Sequence, residues 1–346
     1  MHVTIRPLDL SSDADIDQYH ALDRALDEHA HGGSEASTRG QVRAGLADTP
    51  YWRIQRWVAV AEQLEGGESI VGRAAAFIPL QENLEAVSVG AAVHPAFRGH
   101  GIGTALIEQA LVPAIRASGR SLVDACGEFE GEADPDDPAH PANRLAARLG
   151  IARKHLAVCR TLALPLQDAL LEDLAAEAAE KLGEYRVELW EDGIPEQHLE
   201  PYGLLLHQLD LDDPDEDFEM EAADYTPERI RVSEQRMRDA GTRAIRAIAV
   251  APDGSFVGNS EIHLHEAPGT TLAWQENTLV MPEHRGHRLG LAMKVATHRL
   301  LKDRAPQLRA LVTWNSHVNP WMIGVNEKLG YRIAYREIVY QGRPQL

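Results

Sequence analysis

An internal duplication limits what this sequence can fold into. The stretch Val280-Met281-Pro282-Glu283-His284-Arg285-Gly286-His287-Arg288-Leu289-Gly290 repeats, with changes, the earlier Val93-His94-Pro95-Ala96-Phe97-Arg98-Gly99-His100-Gly101-Ile102-Gly103. In each copy an apolar, strand-like run ends at a proline, and Arg-Gly-His then opens an amphipathic helix. The two arginines lie a little over half the chain apart, which reads as two copies of one domain. At 346 residues the sequence also exceeds what one core usually supports.

A strand that turns tightly into a helix aims several unpaired backbone N–H groups at one spot, beside the positive end of the helix dipole. Such a spot suits a phosphate or pyrophosphate. Gly99, Gly101 and Gly103 let the backbone approach an anion closely in the first copy. The second keeps Gly286 and Gly290 but carries Arg288 in place of the middle glycine. An arginine at a helix start opposes the dipole unless it faces an anion. No nucleotide-triphosphatase loop is present, and neither copy reads as a dinucleotide fingerprint.

Arg98-x-x-Gly101-x-Gly103, and Arg285-x-x-Arg288-x-Gly290 with one departure, resemble the signature of the GCN5-related N-acetyltransferase (GNAT) superfamily. The tandem arrangement is similar to that of mycothiol synthase-like acetyltransferases. The resemblance implies a mixed α/β fold: two tandem acyl-CoA N-acyltransferase domains, each with a sheet splayed between its fourth and fifth strands. Expected limits are 1–164 for the first domain, 165–182 for a connecting helix and 183–346 for the second. It also implies that the cosubstrate is acetyl-CoA, held at Arg98, Gly99, His100, Gly101, Ile102 and Gly103 in one copy. In the other it would be held at Arg285, Gly286, His287, Arg288, Leu289 and Gly290, with the preceding strand, Leu279, Val280 and Met281, meeting the pantetheine. A second resemblance lies in Asn315 and the run Asn326-Glu327-Lys328-Leu329-Gly330-Tyr331. By that likeness Asn315 helps bind the coenzyme, and the amides of Asn319 and Asn326 are expected to donate hydrogen bonds to the pantetheine or the sulfur. Many members place a tyrosine, as general acid, where this chain has Asn326, and an amide cannot supply a proton as a phenol does.

Periodicity places the remaining elements. In the first half, residues 3–8, 57–61, 70–80, 85–94, 122–126 and 156–164 read as strands, with a turn at Gly66-Gly67. Helices are expected from the cap after the first strand to about Glu28, over 101–117 and over 142–150, and residues 29–37 and 128–141 read as loops. Ile102, Leu106 and Ala110 should face the sheet. In the second half, strands are expected at 185–190, 243–251, 255–265, 271–281 and 311–314. Helices are expected at 165–181 and 195–210, from the Thr226 cap to Ala240, and from the loop to Leu301. The acidic run 210–221 either guards a cleft for an amine or is a solvated linker.

The formal charge of −19, from 53 acidic against 34 basic residues, argues against a nucleic-acid partner. Cys126 and Cys159 have no metal or redox spacing, and two cysteines in so long a chain suggest a reducing cytosol. No apolar run reaches the roughly 18 residues a membrane helix needs. The expectation is a cytoplasmic monomer or homodimer with no membrane partner and no metal.

Acyl transfer needs a fixed donor, an unprotonated amine and donors for the charge that develops on the carbonyl oxygen. The amides of Leu279 and Val280 are the expected donors. Glu276, just ahead of the coenzyme-binding strand segment, is the first choice of base, with Glu261, His263 and His265 behind it. The expected function is transfer of acetyl from acetyl-CoA to a small-molecule amine, in the second domain. The alternative is a non-catalytic, coenzyme-binding or regulatory pair of domains, suggested by Asn326 and Arg288.

Overall fold

The computed structural model describes residues 2–345 except 64–66, 131–132, 192 and 213–217. The first half opens with strand β1 (Val3–Pro7) and helix α1 (Asp13–His31). The Ser12 side chain caps α1, and Gly32, at φ 69°, ends it, so the helix runs on into the expected loop. Helix α2 (Arg39–Leu46) is not anticipated by the sequence reading; a capping box between Thr38 and Gln41 starts it. Strands β2 (Trp52–Gln63), β3 (Gly67–Pro79) and β4 (Ala86–Val93) follow. The expected turn at Gly66-Gly67 falls partly outside the described residues.

Helix α3 (Ile102–Leu106) passes through a π turn at Ile107–Leu111 into α4 (Val112–Ser118). Pro113, which has no N–H to give, stands just beyond that turn. Ile102, Leu106 and Ala110 are buried, as expected. Strand β5 (Leu122–Glu130), helix α5 (Pro141–Leu149) and strand β6 (Ala152–Ala163) complete this half.

Helix α6 (Asp168–Leu182) leads to β7 (Arg186–Trp190), α7 (Leu199–Asp212) and α8 (Pro227–Asp239). Thr226 caps α8 with Pro227 in its first turn. Of the acidic run, residues 213–217 lie outside the described set; Glu219 pairs with Arg343 at 2.8 Å, and the Glu221 carboxylate accepts from the Asn83 N–H at 2.8 Å. Strands β8 (Thr242–Val250), β9 (Phe256–His265) and β10 (Leu272–Val280) form a meander. Helix α9 (Leu289–Arg304), strand β11 (Ala310–Ser316), helix α10 (Pro320–Leu329) and strand β12 (Arg332–Gly342) close the chain. Helix α6 packs on α9 through Leu171, Leu174 and Ala178, which join Leu291, Val295 and Leu301 in one apolar cluster.

Among the described residues the strands form one sheet of 12, in the order β1-β2-β3-β4-β5-β12-β6-β11-β10-β9-β8-β7. The two halves are fused by an exchange. Strand β12, from the end of the chain, lies antiparallel to β5 of the first half, and β6 lies antiparallel to β11 of the second. The two exchanged strands also pair with each other. The loop after α1 docks across the halves: the Trp274 indole N–H donates to Glu35 at 2.8 Å, and the Ala36 N–H to the Thr270 hydroxyl at 3.0 Å.

Candidate active site

The two repeated loops have the same backbone. Each begins with a single 3-10 turn, Pro95–Phe97 or Pro282–His284. Gly99 and Gly101 stand at φ 80° and 79°, Gly286 and Arg288 at φ 86° and 54°. Arg98 Nε bonds the Val93 carbonyl at 3.4 Å, and Arg285 Nε bonds the Val280 carbonyl at 3.1 Å. Neither α3 nor α9 has a side-chain cap, which leaves first-turn N–H groups to serve an anion. A Cβ at Gly99, Gly101 or Gly286 would meet nothing within 4 Å, so these cradles are open to a pyrophosphate. The chemistry of the repeat thus fits a coenzyme that carries one.

The side chains differ. His100 stays within its own loop, Nδ1 lying 2.9 Å from the Arg98 carbonyl. In the second loop, His287 Nδ1 is 3.2 Å from the Lys181 carbonyl, and Arg285 pairs closely with Asp212. The Arg288 guanidinium does not lie over the loop, where a phosphate was expected to meet it. It turns to the C-terminal end of α6, against the Glu177 carbonyl and, at 2.7 Å, Glu180. Its Nη1 is thus committed to α6.

Both expected splays are present. Strand β4 pairs with β5 only over Ala86–Val89, and β10 pairs with β11 only over Leu272–Trp274. Beyond these points the strands part. The Met281 N–H bonds the Val257 carbonyl at 2.8 Å. Antiparallel alternation then turns the Leu279 amide toward β9 and the Val280 and Thr278 amides toward the opening. Of the two expected donors, Val280 faces the gap; Thr278 stands where Leu279 was expected.

Registers relate the halves residue by residue. Gly72 opposes Val93 as Gly258 opposes Val280, and Arg56 opposes Ala75 as Arg246 opposes Glu261. Gly90 opposes Ala75 as Asn277 opposes Glu261. The register of β10 slips between Gln275 and Asn277, so Glu276 is a bulged residue without a counterpart in the first half. Where the second half has Glu261, the first has Ala75.

Glu261 joins a chain of charges. It is buried, 2.8 Å from Arg246 and 2.6 Å from His263, and the Tyr202 hydroxyl donates to it at 2.6 Å. His263 Nδ1 stands 3.4 Å from Glu276, whose side chain is 47% exposed. Burial would push the Glu261 carboxyl up, but Arg246, His263 and Tyr202 outweigh it and hold it well below the usual carboxylate range. Burial would likewise lower His263; Glu261 and Glu276 overcome that and raise it to about 9. At neutral pH His263 is therefore an imidazolium between two carboxylates, not a base. His265, by contrast, is pulled down to about 4 by burial and pairs with Glu35 and Ser37.

Arg246, Glu261, His263, Glu276 and Asn277 line a cavity of about 320 Å³, together with residues of α8 and Thr49, Tyr51 and Trp52 from the first half. This volume lies at the small end of ligand pockets, roughly 300–1,000 Å³. The sequence reading passed over Arg246, although a lone arginine in the apolar run Ala244-Ile245-Arg246-Ala247-Ile248 was a usable signal.

The three asparagines serve the protein. Asn319 caps α10 by accepting from the Met322 N–H at 3.1 Å. Asn315 Oδ1 accepts from Arg160 at 2.6 Å and from the Asn326 amide at 3.3 Å, and Asn326 Oδ1 accepts from Lys294 at 2.7 Å. Lys294 is fully buried, and burial pulls it down to about 7. It too escaped the sequence reading. Among the described residues no cluster of three or more His, Cys, Asp or Glu can hold a metal ion, and no helix is long and apolar enough to cross a membrane.

Residues 53–150 match the acetyltransferase (GNAT) domain family. A tandem GNAT protein from the clavulanic acid biosynthesis pathway superposes with a TM-score of 0.73 at 24% identity, over 99% of this chain and 98% of that one. The chain has a tandem GNAT fold. A GCN5-related N-acetyltransferase from Sphaerobacter thermophilus is similar over 99% of this chain and 97% of its own, with a TM-score of 0.64 and 17% identity. The fold also resembles that of N-myristoyltransferase of Saccharomyces cerevisiae, at 11% identity and a TM-score of 0.57, covering all of this chain and 80% of that one. No curated protein matches the sequence.

Proposed function

We propose that this protein is an acyl-CoA-dependent N-acyltransferase, that its donor is acetyl-CoA and its acceptor a small-molecule amine, and that transfer takes place at the second opening. One observation carries the choice of half. The bulged Glu276 lies at the splay of β10 from β11 and lines the 320 Å³ cavity, and the first half has no equivalent residue.

The loop amides from Gly286 to Gly290 would hold the pyrophosphate, and the edge of β10 the pantetheine. Acetyl-CoA supplies the thioester acyl group. The Thr278 and Val280 N–H groups face the place where charge develops on the carbonyl oxygen, and preorganised backbone donors are effective there. Glu276 accepts a hydrogen bond from the acceptor's ammonium and takes its proton, directly or through water at the exposed mouth. His263, fixed by Glu261, keeps the Glu276 carboxylate oriented. Asn326 supplies no proton to the departing thiolate; Lys294, which donates to it at 2.7 Å and which burial pulls down to about 7, holds a proton that is labile near neutral pH.

The first loop supports a second coenzyme site. The full chain is the right sample, since β12 supplies the strand beside β5. Calorimetry with CoA should register two sites in the wild type. Gly101→Glu should remove one, by setting a carboxylate against the pyrophosphate, while Gly101→Ala reports the left-handed strain alone, about 1 kcal/mol. A Gly101→Glu protein with both sites intact would leave the first loop as a relic of duplication.

The raised His263 pKa has a consequence for stability. A group whose pKa rises on folding stabilises below its unfolded value, near 6.5, and that contribution is lost as pH climbs through the folded value, about 9. The shift corresponds to about 3 kcal/mol. Urea denaturation of the wild type should show stability falling between these pH values, and His263→Gln should remove most of that slope. An equally steep slope in the variant would assign it to other groups.

A further inference from the structure

The cavity beside Glu276 holds more cationic groups than its own carboxylates neutralise. Three arginines line it. Arg229 is paired with Glu82 and stacked over the Tyr51 ring at 4.5 Å. Arg246 is paired with Glu261 at 2.8 Å, yet its Nε is buried with no hydrogen-bond partner. Arg236 has no carboxylate partner among the described residues; its side chain donates to the Gly45 carbonyl at 2.9 Å. That bond caps the C-terminal end of α2, a favourable place for a cation, but it occupies one donor of a guanidinium that has several. The remaining carboxylates are committed: Glu234 takes Arg231 at 2.6 Å and the Ile194 N–H at 2.7 Å, and Glu276 and Glu261 share His263. A second guanidinium, Arg56, is near enough to repel Arg236, and it too donates to a backbone carbonyl, that of Leu46, at 2.5 Å.

A half-buried cation that lines a small cavity without a carboxylate partner among the described residues calls for an anion that the protein does not provide. A carboxylate matches a guanidinium fork in shape and charge. Resting on the transferase reading above, we propose that the acceptor carries a carboxylate that Arg236 receives, so that the substrate class is small amino acids rather than neutral amines or polycations. The amine of such a molecule would then be presented to Glu276. The small volume excludes bulky acceptors from full entry.

Release of free CoA from acetyl-CoA tests this with matched acceptors: amino acids, their primary amides and the corresponding decarboxylated amines. The wild type should favour the acids by at least about 10-fold in kcat/KM, equivalent to about 1.4 kcal/mol. Arg236→Gln should bring the ratio of acid to amide close to one, chiefly through a higher KM for the acids, and Arg236→Lys should restore part of it. A wild type that treats acids and amides alike, or a preference that survives Arg236→Gln, overturns the proposal. A second arm needs no turnover: calorimetry with N-acetylated amino acids and their amides. Binding of the acids that Arg236→Gln abolishes supports the subsite even if no acceptor is acylated, an outcome that would sink the transferase reading alone. Absence of acid-selective binding in that arm overturns the subsite.

Discussion

Glu261→Gln is expected to destabilise the protein by about 3–5 kcal/mol, the cost of leaving a buried charge without its partner. The carboxylate is buried and answers two cations, Arg246 at 2.8 Å and His263 at 2.6 Å, besides the Tyr202 hydroxyl. A glutamine keeps the shape and one acceptor oxygen but no charge, so Arg246, itself buried, stays ionised in a medium that solvates it poorly. Removing both partners should cost less than removing one, because apolar side chains of similar volume often replace a buried pair without loss. The double variant Arg246→Met with Glu261→Leu is therefore expected to recover part of the loss. Urea unfolding at neutral pH measures both. A Glu261→Gln protein within 1 kcal/mol of the wild type would mean that the pair carries little of the fold.

Glu276→Gln should do the reverse, sparing stability and lowering turnover. Its side chain is 47% exposed and its contact with His263 is long, at 3.4 Å, so the change should stay within about 0.5 kcal/mol in stability. Loss of a group that takes the acceptor's proton costs about 10²-fold or more in rate. The deficit should shrink as pH rises, since the acceptor amine then loses its proton to solvent unaided. Affinity for acetyl-CoA should not change. Full turnover by Glu276→Gln across the pH range would reduce Glu276 to a surface residue of β10.

Much of this architecture can be read from the sequence, because the duplicated loop is local. Its prolines, glycines and helix starts act through neighbours in the chain, and both copies fold alike. The exchange of β6 and β12 is not local. Strand β12 is not anticipated by the sequence reading, and nothing within residues 332–342 says that they pair with β5 of the other half. Helix α2 is short, and its signal, the Thr38–Gln41 capping box, sits beside glycines and serines that read as loop. At the site, Glu276 stood out by its place just ahead of the coenzyme strand. That it is a bulge, and that His263 and Glu261 stand behind it, depends on the β9–β10 register. Register likewise decides that Thr278 rather than Leu279 faces the opening. Arg288 was legible as a departure from the motif, but its partners on α6 belong to a helix more than a hundred residues earlier in the chain.

The claim that chemistry belongs to the second opening is tested most directly by a crystal structure of the protein saturated with acetyl-CoA. Pyrophosphate is expected on the Gly286–Gly290 amides, and the thioester between β10 and β11 with its carbonyl oxygen toward the Thr278 and Val280 N–H groups and the acetyl group facing the cavity at Glu276. Acetyl-CoA seated only between β4 and β5, with the second opening closed by the Lys294–Asn326–Asn315 network, would contradict it.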